Sequence, residues 1–324
     1  MGTAVATGPE QIVADAIGEA LGPVPVILIG SRATGEADEA SDYDLLVVMP
    51  VLRIPFLLRR MNLTAKRLEA ELGARVSINP LPRFRLRRPG RSLLPWKVRR
   101  EGKILSSPSG FTLGAAEPAK VTTEMSSSYA TSAIHYLIEQ LQPAELSLPS
   151  VPPHLQRAVR KALLHAAQLR LLRTGRYAPT LDEALGMLEP ADARELGRVA
   201  RMCDRPDAWF ATRDLLIGEI DEEPPTRMRA LAANVQYAAL SALRGRSFRA
   251  KAFAEERPIG DRLRRSVVLL AGSIRPGGTV DPGGVSSAVA ALPNFLRPSC
   301  EISWTAVRDL IEREWAKATP LVGL

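Results

Sequence analysis

The stretch VILIGSRATGEADEASDYDLLVV, residues 26–48, constrains this chain more than any other. Val24–Ile29 is a short β-branched apolar run, the pattern of a buried strand. It delivers Gly30-Ser31 into a polar, turn-like segment that runs to Ser41. A second apolar strand, Tyr43–Val48, follows and is stopped by Pro50. Ten residues separate Ser31 from Asp42, and Asp42-Tyr43-Asp44 opens the second strand. Side chains alternate along a strand, so Asp42 and Asp44 project from one face. Two neighbouring carboxylates repel and raise each other's proton affinity unless a cation lies between them. Oxygen-only ligation of this kind suits Mg²⁺. Glycine allows close backbone approach to a ligand, and a serine N–H and hydroxyl can donate to phosphate. A phosphate-holding turn beside a metal-holding pair is what nucleoside triphosphate chemistry requires.

The rest of the chain sorts into two parts. Apolar spacing predicts a helix over 9–20, ended by Gly22 and Pro23. Ile54–Leu72 reads as a helix closed by Gly73, and Arg75–Leu81 as a third strand. Arg83–Arg88 either continues that strand or forms a fourth, and Lys97–Leu105 reads as the last. This alternation describes a small α/β domain. Beyond it, helices are expected at 123–141, 154–173, 180–188, 191–203, 207–220, 226–244 and 302–317. A chain of 324 residues suits about two domains. The expected division is 1–115 and 116–324, with a Pro-rich linker near 142–153. RPGGTVDPGG, residues 275–284, reads as a surface loop.

The formal charge of +8 sits in one place. Nine basic residues lie between Arg83 and Lys103 against one acid, Glu101, which equals the whole excess. Such a stretch suits phosphates or a nucleic-acid backbone, the alternative being a solvated, Arg-rich surface. Arg83-Phe-Arg-Leu-Arg87 alternates as a half-buried strand would. Two cysteines, Cys203 and Cys300, rule out a disulfide framework, and no Cys/His cluster has zinc spacing. The longest apolar runs fall far short of the roughly 20 residues that span a bilayer, and MGTAVATG at the start has no secretory pattern. A cytoplasmic protein with no membrane partner is therefore expected.

GSRATGEADEASDYDLLVV resembles the signature of the DNA polymerase β-like nucleotidyltransferase superfamily. It is closest to the minimal nucleotidyltransferases, whose pattern is Gly-Ser, ten residues, Asp-x-Asp. Arg32, Gly35 and Ser41 also sit where that family often has those residues. The resemblance implies an α+β chain: an α/β nucleotidyltransferase domain with a mixed sheet and flanking helices, then an all-α C-terminal domain. The latter has an analogy in antibiotic nucleotidyltransferases. It implies Mg²⁺ on Asp42 and Asp44, and a nucleoside triphosphate (ATP by default) held by Gly30, Ser31, Arg32 and Ser41. It further implies transfer of a nucleoside monophosphate to an acceptor with release of pyrophosphate. The acceptor is open: a small molecule, an RNA or a protein hydroxyl.

One departure matters. The family usually has a third carboxylate on a later strand, and Arg75–Leu81 contains none. Alternation puts Arg75, Ser77 and Asn79 on one face, leaving neutral Ser77 and Asn79 as the polar candidates. Either Glu101, Glu124 or an acid of the helical domain completes the site, or the protein binds nucleotide and transfers it poorly. The latter would make it a regulatory or nucleic-acid-binding relative. Arg160 and His165 have a spacing that resembles the HEPN ribonuclease motif, although a helical histidine is more often packed. His135 and His154 read as structural. Trp96, Trp209, Trp304 and Trp315 read as core, with base stacking by Trp96 as the alternative. VVLLA before Gly272-Ser273 is strand-like, but no Asp-x-Asp follows it.

Overall fold

The structure is a computed structural model. It describes residues 8–38, 41–83, 86, 93–114, 121–139, 141–220 and 259–322. The chain falls into two compact units, Met1–Ala119 and Lys120–Leu324. The whole is α+β.

The first unit runs α1 (Pro9–Leu21), β1 (Val26–Ile29), α2 (Ser31–Thr34), β2 (Tyr43–Met49), α3 (Ile54–Leu72), β3 (Val76–Pro82), α4 (Leu93–Glu101) and β4 (Lys103–Ser106). The four strands form one mixed sheet in the order β3-β2-β1-β4. β1 is antiparallel to both β2 and β4, whereas β2 and β3 are parallel and joined through α3. Pro80 and Pro82 lack a donor, which an edge strand such as β3 tolerates.

Strand alternation divides the core in two. Tyr43, Leu45, Val47 and Met49 pack with Val13 and Ile17 of α1 and with Leu57, Met61 and Leu68 of α3. Leu46 and Val48 face the other way, onto Ile27, Leu81, Leu86 and Val98. Asp44 therefore belongs to the second face. Helix α3 stops at Gly73, whose φ of +63° is left-handed and whose N–H donates to the Glu69 carbonyl. The Glu69 carboxylate then accepts from the Val76 N–H at 3.1 Å, tying the helix end to β3.

Two strand expectations are corrected here. Lys97–Leu105 is not one strand: Leu93–Glu101 is helical and only Lys103–Ser106 is extended. Leu94 and Val98 lie four residues apart and pack into one core, which is a helix's spacing. Gly102 ends the helix and presses on Ile27, with room for no side chain. Nor does β3 run on past Pro82, since Arg83 and Leu86 are helical. Phe84, Arg85 and residues 87–92 lie outside the described residues.

The second unit is helical: α5 (Thr123–Ile138), α6 (Pro153–Arg173), α7 (Leu181–Met187), α8 (Pro190–Ala200), α9 (Pro206–Ile217), α10 (Ile259–Gly272), α11 (Pro282–Ala291) and α12 (Trp304–Val322). α5 packs on α6, α9 and α10, and α10 packs on α11 and α12. Buried tryptophans lock these contacts. The Trp209 indole donates to the Leu137 carbonyl at 3.0 Å, and the Trp304 indole to that of Leu270 at 3.1 Å. The VVLLA run lies inside α10, so its strand-like reading is corrected. A short apolar run has no period of its own, and here it belongs to a helix buried by α11 and α12. The expected loop 275–284 holds a short 3₁₀ turn, Pro276–Gly278, and the cap of α11, where Asp281 accepts from the Gly283 N–H. The Pro-rich segment 142–153 lies within this unit. Leu146 is buried and the Val151 N–H donates to the Asp204 carbonyl at 2.8 Å. The helix expected over 226–244 lies outside the described residues. Among the described residues no helix is long and apolar enough to cross a membrane.

Candidate active site

The site is built where β1 ends beside the start of β2. Ile29 is paired with Asp44, and Asp44 with Ser77 on the other side. Gly30 follows with φ +79° and ψ −161°, a conformation essentially reserved for glycine. A Cβ placed on it would stand 3.3 Å from the Asp44 carboxylate oxygen Oδ2. Gly30 therefore allows both the turn and its approach to the carboxylate. Asp42, one residue before β2, falls on the Asp44 side by alternation. It is half-buried, and among the described residues its side chain makes no hydrogen bond or ion pair. The Ser31 hydroxyl likewise has no partner among them.

Arg32 and Ser41, both expected at the phosphates, are bonded to each other. The Arg32 guanidinium donates twice to the Ser41 carbonyl, at 3.0 and 2.7 Å, and lies 3.9 Å over the Tyr43 ring. The Ser41 hydroxyl donates to the Asp38 carboxylate at 2.8 Å and accepts from the Asp38 N–H at 2.9 Å. The loop between the strands is thus clasped end to end, and the clasp closes on the residue before Asp42. Sequence reasoning missed this role. An Arg next to the Gly-Ser turn, with an aromatic between the two aspartates, is the signal it left.

The expected third position is occupied by Ser77, which lies directly across from Asp44. Its hydroxyl accepts from the Asn79 amide at 2.7 Å. Glu101 has a side chain only 3% exposed and pairs with Lys97 at 3.5 Å. The Glu124 side chain lies outside the described residues. Among those described, no three His, Cys, Asp or Glu side chains are grouped as a metal site would be. Two carboxylates on one face are the kind of oxygen donors that a divalent ion would take, with phosphate and water completing its shell.

Helix α4 packs its Leu94 and Val98 on the face of the sheet that carries Asp44. Three of the described cations of the basic segment are engaged, and Arg83 is exposed. Lys97 pairs with Glu101, Lys103 pairs with Glu10 at 2.7 Å, and Arg99 donates to the Leu86 carbonyl. Arg100 is exposed, 5.4 Å from the centre of the buried Trp96 ring.

Residues 11–93 match the family model of the nucleotidyltransferase domain. The first unit carries a nucleotidyltransferase domain. The match runs from within α1 through β3 and takes in Gly30, Ser31, Asp42, Asp44 and Ser77, and it supports a nucleotidyl transfer activity in general. No curated protein and no solved structure matches the chain.

In this nucleotidyltransferase domain Gly30 is the glycine of the candidate site whose backbone a side chain would strain. Gly30→Ala is expected to cost about 1–3 kcal/mol from the strained φ/ψ alone, with a further loss of nucleotide affinity as Asp44 is displaced. A denaturant melt and a nucleotide titration check the two effects separately. His165 and His135 are packed within the second unit. His165 is buried, with its Nδ1 2.7 Å from the Lys161 carbonyl and its ring 4.7 Å from that of Tyr129. His135 stacks on Trp315 beside Glu312.

Proposed function

We propose that the chain transfers a nucleoside monophosphate from a nucleoside triphosphate, with ATP as the first donor to test, to a nucleophile on an acceptor. The observation that carries this reading is the Gly30 turn set against Asp44, with the unpartnered Asp42 one step along the same face. Asp42 and Asp44 would hold Mg²⁺, which supplies charge neutralisation of the triphosphate when bound. Ser31 donates to the phosphates through its hydroxyl, and the exposed Arg100 adds positive charge on the same face of the sheet. Gly30 keeps Cβ bulk away from the reacting phosphorus, and the Arg32–Ser41 clasp fixes the approach to Asp42. The acceptor oxygen forms a bond to the α-phosphorus, the bond to the β-phosphate oxygen breaks, and pyrophosphate leaves. The acceptor proton passes to solvent. A small molecule, an RNA or a protein hydroxyl would serve as acceptor, and the segment 83–103 is the candidate contact for a nucleic-acid backbone. A cytoplasmic setting, rich in nucleoside triphosphates and Mg²⁺, goes with this activity.

A second reading, nucleotide binding with little turnover, is favoured by one observation: the neutral Ser77 faces Asp44 where the resemblance leads one to expect an acid. Calorimetric titration with ATP, GTP, CTP and UTP, with and without Mg²⁺, tests binding, and labelled pyrophosphate release tests transfer. Mg²⁺-dependent binding with release supports the enzyme. Binding without release, across small-molecule, RNA and protein acceptors, supports the second reading. Absence of any Mg²⁺-dependent binding overturns both.

A further inference from the structure

Helix α3 buries one face and leaves an opposite face ill suited to water. Ile54, Leu57, Leu58, Met61 and Leu68 are in the core. Outward lie Phe56, 82% exposed, and Leu63, 58% exposed, with Leu52 of the preceding turn 83% exposed. Phe56 and Leu63 are seven residues apart and so lie along one line of the helix. Arg59, Arg60 and Lys66 are exposed among them. Among the described residues none of these three cations has a hydrogen-bond or ion-pair partner. Arg67, by contrast, pairs with Glu19 at 3.1 Å. No Asp or Glu occurs from residue 45 to residue 68. Isolated exposed apolar residues are ordinary; two in line on the helix, with a third on the turn before it and unpaired cations among them, call for an anionic, apolar counterpart.

Three occupants can be weighed by charge and area. A second copy related by a two-fold axis would set these cations against themselves. A folded acidic protein would need about 800 Å² per partner and a fixed acid opposite each buried cation, and three apolar tips on a convex ridge offer neither a groove nor that area. A lipid surface meets both needs. Its phosphates move to each cation, its acyl boundary accepts the tips, and the Arg and Lys stems lie along it. We infer that the outer face of α3 docks the nucleotidyltransferase domain peripherally on an anionic lipid surface. This is surface attachment by side chains and not a spanning helix, and it does not depend on the activity proposed above.

Full-length protein is sedimented with phosphatidylcholine vesicles made with and without phosphatidylglycerol. Binding is expected with the anionic vesicles, weakening as salt rises, and weaker by roughly tenfold or more without phosphatidylglycerol. The double variant Arg59→Ser, Arg60→Ser should lose that preference, again by roughly tenfold or more. Leu52→Ser with Phe56→Ser should weaken binding to either vesicle. Both keep the parent melting temperature and nucleotide affinity, because the replaced side chains are exposed and away from Asp42 and Asp44. The inference is overturned if phosphatidylglycerol vesicles bind no better than phosphatidylcholine. It is also overturned if neither variant alters binding, or if light scattering finds a dimer that the same variants dissolve. Single-stranded RNA binding that is lost in the arginine variant and kept in the leucine–phenylalanine variant would assign the face to nucleic acid and overturn it too.

Discussion

Replacing Asp42 and Asp44 together by Asn is expected to abolish Mg²⁺-dependent nucleotide binding and to lower nucleotidyl transfer by roughly 10²–10⁴-fold. The magnitude follows from the several kcal/mol a bound divalent ion supplies to developing phosphate charge, at about 1.4 kcal/mol per tenfold. The sign of the stability effect separates this role from a structural one. Two like charges on one face disfavour the folded state when no cation lies between them. The neutral pair removes that repulsion and keeps the size of both side chains. Asp42→Asn alone, at a side chain with no partner among the described residues, should therefore hold or raise the metal-free melting temperature while binding falls. Calorimetry with ATP and Mg²⁺, pyrophosphate release and a thermal melt in EDTA decide it together. Unchanged Mg²⁺-dependent binding in the double variant would remove Asp42 and Asp44 from the site. A large fall in metal-free melting temperature in Asp42→Asn would make that residue structural.

The parts of this molecule that were legible in the sequence are those fixed by local rules. Gly30 marks a backbone that other residues cannot adopt, and alternation alone puts Asp44, Leu46 and Val48 on one side of β2. Gly73 announced the end of α3 for the same local reason. Helix α4 was hidden because its two core contacts, Leu94 and Val98, are scattered among Arg and Lys whose polarity blurs the period. In α10, VVLLA is apolar on every side and carries no period to read. The Arg32–Ser41 clasp spans nine positions and depends on the loop's closure. Spacing suggested a chemical role for Arg160 and His165, but only packing shows the His165 ring buried against Tyr129. The ion pairs of Lys97 and Lys103 are a further case. The sequence counts their charge as available, whereas the fold spends it on Glu101 and Glu10.

The partner of Asp44 across the sheet offers a gain-of-function experiment. Ser77 lies level with Asp44 in parallel register, on the same face, half-buried. Ser77→Asp would set a third carboxylate beside the pair, with the Asn79 amide, now 2.7 Å from the Ser77 hydroxyl, positioned to donate to it. A carboxylate binds Mg²⁺ more tightly than a neutral hydroxyl does, so metal affinity should rise by about tenfold or more. Pyrophosphate release should rise with it if a weak metal site limits turnover. The same charge is a burden without metal, because three carboxylates on one face repel. The variant should therefore melt below the parent in EDTA and recover with Mg²⁺. Occupancy at 100 times the dissociation constant would return about 2.7 kcal/mol. That crossing of stabilities is a readout independent of activity. A variant whose melting temperature ignores Mg²⁺, and whose transfer does not rise, would mean that Ser77 does not face the metal position. The site would then have to be redrawn around Asp42 and Asp44 alone.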